Sequence, residues 1–158
     1  MAQRGSREDL IEQARNKAYE YESQYHGCSQ AVLLALQQVF GLEDETVFRA
    51  AGPFCAGLGA GKTCGALAGG AMFLGLKHGR SSIKEGLSGL LPGMLIVQML
   101  VDKFQQEFGT TVCQEISGID WTNPEAVVLA VSNPEFIEKC ATTSGKTAAM
   151  AAELMTEA

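Results

Sequence analysis

Five cysteines are the residues of this 158-residue chain with the most specific chemistry. They lie at positions 28, 55, 64, 113 and 140, and no two of them have the CxxC spacing of zinc ribbons, thioredoxin-type sites or haem c attachment. Dispersed cysteines of a non-secreted protein serve redox chemistry, metal binding or core packing more often than they form structural disulfides. Thiol chemistry, whether redox or metal-based, is therefore the first hypothesis.

Three of these cysteines are predicted to lie at the start of a helix. Cys28 opens the periodic apolar segment CSQAVLLALQQVF, Cys64 follows a predicted N-cap at Thr63, and Cys113 falls in the first turn of a short helix. A helix N-terminus carries roughly half a positive charge and unpaired N–H groups, which stabilise a thiolate. This placement favours reactive or ligating cysteines over small core residues, which are the alternative for any free cysteine.

The same electrostatic argument predicts that Cys28, Cys64 and Cys113 converge at one end of the fold. Three helix N-termini directed at one point would form a positive pocket for thiolates, a sulfide-rich cluster or an anion. Small residues after Cys64 would form the pocket floor and leave room for a cofactor or a second sulfur; they are Gly65, Ala66 and Gly69.

The glycine-rich stretch AGLGAGKT, residues 56–63, fits the loose form of a phosphate-binding loop. Such a loop requires a strand that leads into it, and the preceding RAAGPF has a Gly-Pro break and no β-branched run. A magnesium-binding aspartate would have to be sought at Asp102, which lies in a segment of helical period. We therefore expect a turn before a helix and no nucleotide cofactor.

Composition and charge indicate a single globular domain over residues 1–158. The apolar fraction is 46% and the charged fraction 19%, which suits a folded core. The net charge is −6 and the 12 Lys and Arg are scattered, so we expect no nucleic-acid partner. The N-terminal MAQRGSREDL is polar, and the central uncharged run, 63–76, is shorter than the ~20 residues that cross a bilayer. We expect a cytoplasmic protein without membrane insertion.

Helical periodicity in every long segment predicts an all-α fold, a single-domain bundle of about six or seven helices. Asn-Pro pairs mark helix starts within 119–136, and Cys140 is expected to end a short helix of its own. The Gly/Ala-rich helix over 63–78 is apolar on every side, so we place it at the centre. The other expected helix limits are an N-cap at Ser6, a second helix from Cys28 to Gly41 and a third helix over EDETVFRAA. A long helix is expected from Pro92 to Gly109, followed by a capping box of Thr111 and Gln114. The last helix is expected over TSGKTAAMAAELM.

Four stretches of the chain resemble a known family. They are GCSQAVLLAL, CGALAGG with LGLKHG behind it, FGTTVCQEISG and EKCA. Together they resemble the C_GCAxxG_C_C family of redox-active proteins over about residues 24–155. The most specific part is the CGAxxG motif, which is filled here by Cys64, Gly65, Ala66 and Gly69.

The resemblance implies which residues carry the chemistry. The family's four recurrent cysteines, as redox, cofactor-binding or metal-binding residues, correspond to Cys28, Cys64, Cys113 and Cys140. Cys55 lies outside that pattern, and we expect it to be a fifth participant that covers the site or a loop residue. The family is also similar to the split-Soret cytochromes c, which carry haem and an iron–sulfur cluster. Because this chain lacks the haem attachment motif, the resemblance implies no haem c and leaves cluster or thiol chemistry.

The leading hypothesis is a redox protein that exchanges electrons with a partner protein. Its clustered cysteines would hold an iron–sulfur cluster or form a thiol/disulfide couple. The alternative is a non-catalytic helical binding module whose cysteines pack in the core or bind a soft metal transiently. A thiol-based reductase or peroxide scavenger would need an exposed low-pKa cysteine and a resolving partner. His26 could ligate or protonate a group near Cys28 or cap the first helix, and a homodimer is left open.

Overall fold

Residues 5–158, which the computed structural model describes, form eight α-helices. They are α1 (Arg7–Tyr25), α2 (Cys28–Phe40), α3 (Glu45–Ala51), α4 (Gly65–His78), α5 (Gly86–Phe108), α6 (Cys113–Ser117), α7 (Pro124–Val131) and α8 (Pro134–Glu157). Within this range no residue belongs to a β-strand, and a single β-bridge joins Thr63 to Val112. The prediction of an all-α fold is confirmed, with more helices than the six or seven expected.

One hydrophobic core joins the long helices. α1 lies along α8, α2 packs against α1, α4 and α8, and α4 also contacts α5 and α8. α4 directs into this core Ala66, Leu67, Phe73 and Leu74, each at most 4% exposed. The Gly/Ala-rich helix is therefore buried as predicted, although α8 buries a larger number of residues.

The last helix is longer than its sequence predicts. α8 runs from Pro134 to Glu157 without a break, so the prediction that Cys140 ends a short helix is wrong. The stretch ATTSGKT after Cys140 is poor in strong helix formers. Packing against α1 compensates, because Gly145 lets the backbone of α1 approach closely. Within the helix, Thr143 and Thr147 donate hydrogen bonds to carbonyls one turn earlier at 2.8 and 2.7 Å.

Three helix starts also differ between the prediction and the structure. Cys64, rather than Thr63, is the N-cap of α4, because Thr63 is extended in the bridge to Val112. The expected capping box of Thr111 and Gln114 is wrong, since Val112 is the N-cap of α6 and no side chain caps it. α5 begins at Gly86 instead of Pro92; a capping box of Ser82 and Glu85 orders the preceding turn.

Other predicted limits are confirmed. Ser6 caps α1 through a capping box with Asp9, and Gly41 ends α2 in the left-handed conformation. Asn123 and Asn133 each accept hydrogen bonds from the first turn of the helix that follows, with proline as its first residue. These ends depend on neighbours in sequence, which is why the sequence predicts them.

Helix α5 has two unlike faces. Ile96, Leu100 and Phe104 are buried, whereas Leu87 and Leu95 are more than half exposed. By length and composition alone, the segment Ile83–Phe108 would suffice to cross a membrane. A core helix of a soluble protein passes the same test, so the absence of membrane insertion stays a prediction.

Two glycines of α4 allow α2 to approach closely. A Cβ built on Gly69 would lie 3.0 Å from the Ser29 carbonyl carbon and closer still to its oxygen. A Cβ on Gly65 would lie 2.9 Å from the Phe54 carbonyl oxygen and closer still to Cys28 Sγ. Real Cβ atoms do not reach such distances, so both positions need glycine to hold the two helices at this spacing.

Alanine substitutions within α4 test this contact. Gly69→Ala should lower the free energy of unfolding by about 1–3 kcal/mol, because a methyl group against backbone forces α2 and α4 apart. Gly75→Ala, in the same helix but with nothing within 4 Å of the added Cβ, should raise it by about 0.5–1 kcal/mol. Urea unfolding of both variants measures the difference, and equal effects would contradict the proposed close approach.

Candidate functional site

All five cysteines line one cavity of about 180 Å³. Its remaining wall is largely apolar, with Ile116, Trp121, Val131 and Phe136, while Glu22 and Ser144 contribute polar groups. The structure thus brings together Cys28, Cys64 and Cys113, as the electrostatic argument predicts, and adds Cys140 and Cys55 to them. Their roles as catalytic, cofactor-binding or metal-binding residues stay predictions.

Three helix N-termini carry the cysteines that were expected there. Cys28 is the first residue of α2 and follows Gly27, whose φ of 86° only glycine adopts without strain. Cys64 is the N-cap of α4, and Cys113 is the first residue of α6. Cys140 instead lies within α8 and lines the cavity from the side of that helix. Burial raises the pKa of Cys140 to about 12.

A short antiparallel contact sets Cys64 beside Cys113. The Cys64 N–H donates to the Thr111 carbonyl at 2.8 Å, and the Cys113 N–H donates to the Lys62 carbonyl at 2.6 Å. In this register the two cysteines are diagonal neighbours on one face, which places their Cα atoms ~7–8 Å apart. The contact explains how residues 49 positions apart in sequence reach one cavity.

The glycine-rich turn Gly57–Gly61 packs against the contact between Cys64 and Cys113. A Cβ on Gly57 would lie 2.9 Å from Cys113 Cβ, so the turn packs directly against that cysteine. The Lys62 backbone is engaged on both sides, since its N–H donates to Gly57 and its carbonyl accepts from Cys113. The local geometry is that of a packed turn, without the strand that a phosphate-binding loop requires.

Of the predicted floor residues, Ala66 alone lines the cavity. Gly65 lies behind Cys28 Sγ, and Gly69 packs against Ser29 one turn farther along α4. The two glycines therefore shape the site from behind, by admitting α2, and their expected contact with a cofactor stays a prediction.

Cys55 is the cysteine that sequence reasoning left outside the pattern. It lies over the first turn of α2, with its sulfur 2.9 Å from Ser29 Oγ. A hydrogen bond from the Cys28 thiol lowers the pKa of Cys55 to about 5, and the Ser29 hydroxyl and the N–H groups of Ser29 and Gln30 act in the same direction. The Ser29 hydroxyl has a single hydrogen for two neighbours, the Cys55 sulfur and the Ala51 carbonyl 2.7 Å away.

The other cysteines are held in the thiol form. Donation to Cys55, followed by burial, raises the pKa of Cys28. Burial raises the pKa of Cys64 to about 11 and also raises that of Cys113, against the opposing effect of the Ser117 hydroxyl and the Trp121 indole. Of the five cysteines, Cys55 is thus the one whose pKa is lowered.

Glu22 is a functional candidate that sequence reasoning missed. It is 4% exposed in the last turns of α1, lines the cavity, and its Oε2 has no hydrogen-bond partner. Burial, with a smaller effect of the nearby Cys55, raises the pKa of Glu22 to about 8, so the carboxyl is neutral at pH 7. A signal was present in the sequence: Glu22 continues the i, i+4 series of the buried Ala14 and Ala18.

Backbone strain is concentrated at the cavity rim. His26, which ends α1, has φ 60° and ψ −174°, a region almost restricted to glycine, and Ala56 has φ 55°. Both residues line the cavity. His26 therefore caps α1 and borders the site at once, whereas His78 ends α4 at the helix terminus opposite Cys64.

The arrangement does not resemble a site for a single metal ion. Among residues 5–158, no group of three or more His, Cys, Asp or Glu side chains is positioned to hold one. The sulfur donors are soft and would suit an iron–sulfur cluster, which spreads its ligands over several iron atoms.

Alkylation at neutral pH tests the order of thiol reactivity. In anaerobic, reduced protein at pH 7, iodoacetamide should modify Cys55 at least about tenfold faster than any other cysteine, because only its thiolate predominates. Ser29→Ala should slow the reaction at Cys55 by removing one donor to the sulfur. Peptide mass spectrometry over time measures both rates, and first modification at Cys64 or Cys140 would contradict the assignment.

The pH dependence of stability tests Glu22. Because its folded pKa of about 8 exceeds the unfolded value, the native state keeps a proton that the unfolded state loses, and stability falls as pH rises from about 5 to 8. Cys55 acts oppositely, since its depressed pKa adds stability as pH rises from about 5 to 9.

The difference between wild type and Glu22→Gln isolates the carboxyl. The variant should gain stability relative to wild type by up to about 1.4 kcal/mol per pH unit between pH 5 and 8. Urea unfolding under reducing conditions measures it, with Glu20→Gln, an exposed carboxyl on the same helix, as control. Parallel stability profiles of wild type and Glu22→Gln would show that Glu22 is ionised in the native state.

Comparison with known proteins gives one match. No curated protein and no solved structure is similar enough to the chain to match it. The family model described as "Putative redox-active protein (C_GCAxxG_C_C)" matches residues 26–154, a span that contains all five cavity cysteines. A match over most of the chain shows the family, and this protein belongs to the C_GCAxxG_C_C redox-active protein family.

Proposed function

We propose that this protein is a thiol-based redox protein that stores and releases two electrons by reversible disulfide formation in its cysteine cavity. The observation that carries the proposal is the meeting of five cysteines, from separate segments of the chain, at one small cavity. Core packing alone needs no such grouping, because isolated apolar sites accommodate single cysteines equally well. Membership of a redox-active family supports the same conclusion.

The charge distribution of the site favours thiol chemistry. Disulfide exchange requires one thiolate and a neighbouring thiol that can follow it, and the lowered pKa of Cys55 beside the raised pKa of Cys28 fits this requirement. No Lys or Arg is found among the described residues that line the cavity, so the helix N-termini supply the stabilisation of negative charge. One thiolate fits that environment well.

The second candidate is an iron–sulfur protein, and four sulfurs around one cavity favour it. Cys28, Cys64, Cys113 and Cys140, the four cysteines of the family pattern, all face the same space. A bound cluster would supply one-electron transfer, and the cysteines would have to give up their protons to hold it. The two candidates differ in iron content and in the number of free thiols.

Anaerobic purification followed by redox titration separates the candidates. We expect a colourless protein without iron or sulfide, whose free thiols fall from five to three on oxidation and return to five with a dithiol reductant. Mass spectrometry after alkylation counts the thiols. A brown protein with bound iron and sulfide would replace the proposal by the cluster, and five unchanged thiols in a colourless protein would favour a non-catalytic binding module.

A further inference from the structure

We propose that Cys55 attacks small apolar organic hydroperoxides that enter the cavity and that Cys28 then resolves the oxidised Cys55 as a disulfide. This inference rests on the proposed function and specifies its reacting pair, its substrate class and its proton donor. It assigns the first step to the one cavity cysteine that lies outside the four-cysteine family pattern.

The positions of Cys55 and Cys28 favour direct bond formation between them. Both lie against the same point of α4, since a Cβ built on Gly65 would be 3.2 Å from Cys55 Cα and still closer to Cys28 Sγ. A Cβ built on Gly27, the residue before Cys28, would also lie 3.7 Å from Cys55 Sγ, so the Cys55 sulfur lies beside the start of α2 that carries Cys28. Cys64 and Cys113 are set on a bridge that keeps them diagonal.

The surroundings of Cys55 stabilise a nucleophilic sulfur. The first turn of the 13-residue helix α2 faces it, with Ser29 Oγ 2.9 Å from the sulfur, and the N–H groups of Ser29 and Gln30 contribute to lowering the pKa of Cys55. Cys28, Cys55 and Cys140 are half-buried, so a small molecule can reach them from solvent, whereas Cys64 and Cys113 are buried. Among the three, Cys55 has a hydroxyl partner for its sulfur at the start of α2, which selects it as the attacking residue.

Glu22 supplies the proton that cleavage of a peroxide requires and that cleavage of a disulfide does not. Cleavage of an O–O bond releases an alkoxide, a strong base that needs a proton as it leaves, whereas a released thiolate is stable in water. Glu22 is buried in the cavity wall with no cation against it and with Oε2 unpartnered, so its carboxyl keeps a proton available for donation. Ser144 adds a second unpartnered, fully buried polar group to the same wall.

The size and lining of the cavity define the substrate class. An apolar cavity of roughly 150 Å³ admits a molecule the size of benzene, so about 180 Å³ suits a hydroperoxide with a short organic group. Trp121, Val131 and Phe136 offer apolar contacts for that group. A bulky peptide disulfide would not enter a space of this volume.

The reaction balances in two steps. The Cys55 thiolate attacks the terminal oxygen of ROOH and becomes a sulfenic acid, while Glu22 donates its proton to the departing RO⁻, which leaves as ROH. The Cys28 thiol then attacks the Cys55 sulfur, forms the disulfide and releases water. An external dithiol then returns two electrons and one proton to the pair, which regains the Cys28 thiol and the Cys55 thiolate. The dithiol's second proton goes to solvent and balances the proton that Glu22 takes from solvent.

Hydroperoxide turnover tests the inference directly. With tert-butyl hydroperoxide and dithiothreitol, wild type should consume peroxide at least ~100-fold faster than Cys55→Ser, and peptide mapping should find a Cys28–Cys55 disulfide. Cys28→Ser should stop at a sulfenic acid on Cys55 that dimedone traps. Glu22→Gln should slow the first step by about 10²-fold, as expected for loss of a general acid, whereas Glu20→Gln should not.

Failure of the proposed function and failure of this inference give different results. A brown, iron-containing protein would overturn the proposed function itself. A reversible disulfide combined with hydroperoxide consumption equal to that of Cys55→Ser would leave the thiol function in place and overturn the peroxide step. A disulfide between another pair of cysteines would overturn the assigned pair. Oxidised glutathione reacting as fast as the hydroperoxide would overturn the substrate class. Circular dichroism checks that each variant is folded.

Discussion

The close approach of α2 to α4 is the contact on which the cysteine site depends. Gly69 admits the Ser29 carbonyl, and Gly65 admits both the Cys28 sulfur and the chain at Phe54 and Cys55. A side chain at either glycine would collide with these atoms and push the first turn of α2 away from α4. Helix packing therefore explains the glycines of the CGAxxG motif, because they let the cysteines before and beside α4 lie close together.

The second constraint is the scarcity of positive charge at the site. None of the Lys and Arg side chains that the structure describes lines the cavity, and the available compensation for an anion comes from helix N–H groups and hydroxyls. Together with the Cys28 thiol, that supply lowers the pKa of Cys55, while burial raises the pKa values of Glu22 and the deeper cysteines. The same scarcity leaves the burial of Glu22 without a compensating cation, which is why its pKa is raised.

Local signals explain how much of the architecture the sequence predicts. The cap at Ser6, the left-handed end at Gly41 and the Asn-Pro helix starts are decided within four residues, and each is as predicted. Errors occur where distant contacts act. Thr63 is extended because Val112 pairs with it, and α8 continues past Cys140 because α1 packs along it.

By itself the sequence determined the all-α class, the family and the placement of three cysteines at helix starts, because periodicity, caps and motif spacing are short-range properties. Only the tertiary structure decided that Cys55 lies on the N-terminus of α2, that Cys140 reaches the site from the side of α8, and that Glu22 is buried without a partner. These features depend on how closely helices approach one another. That spacing is set by contacts among residues far apart in the chain, which no local pattern encodes.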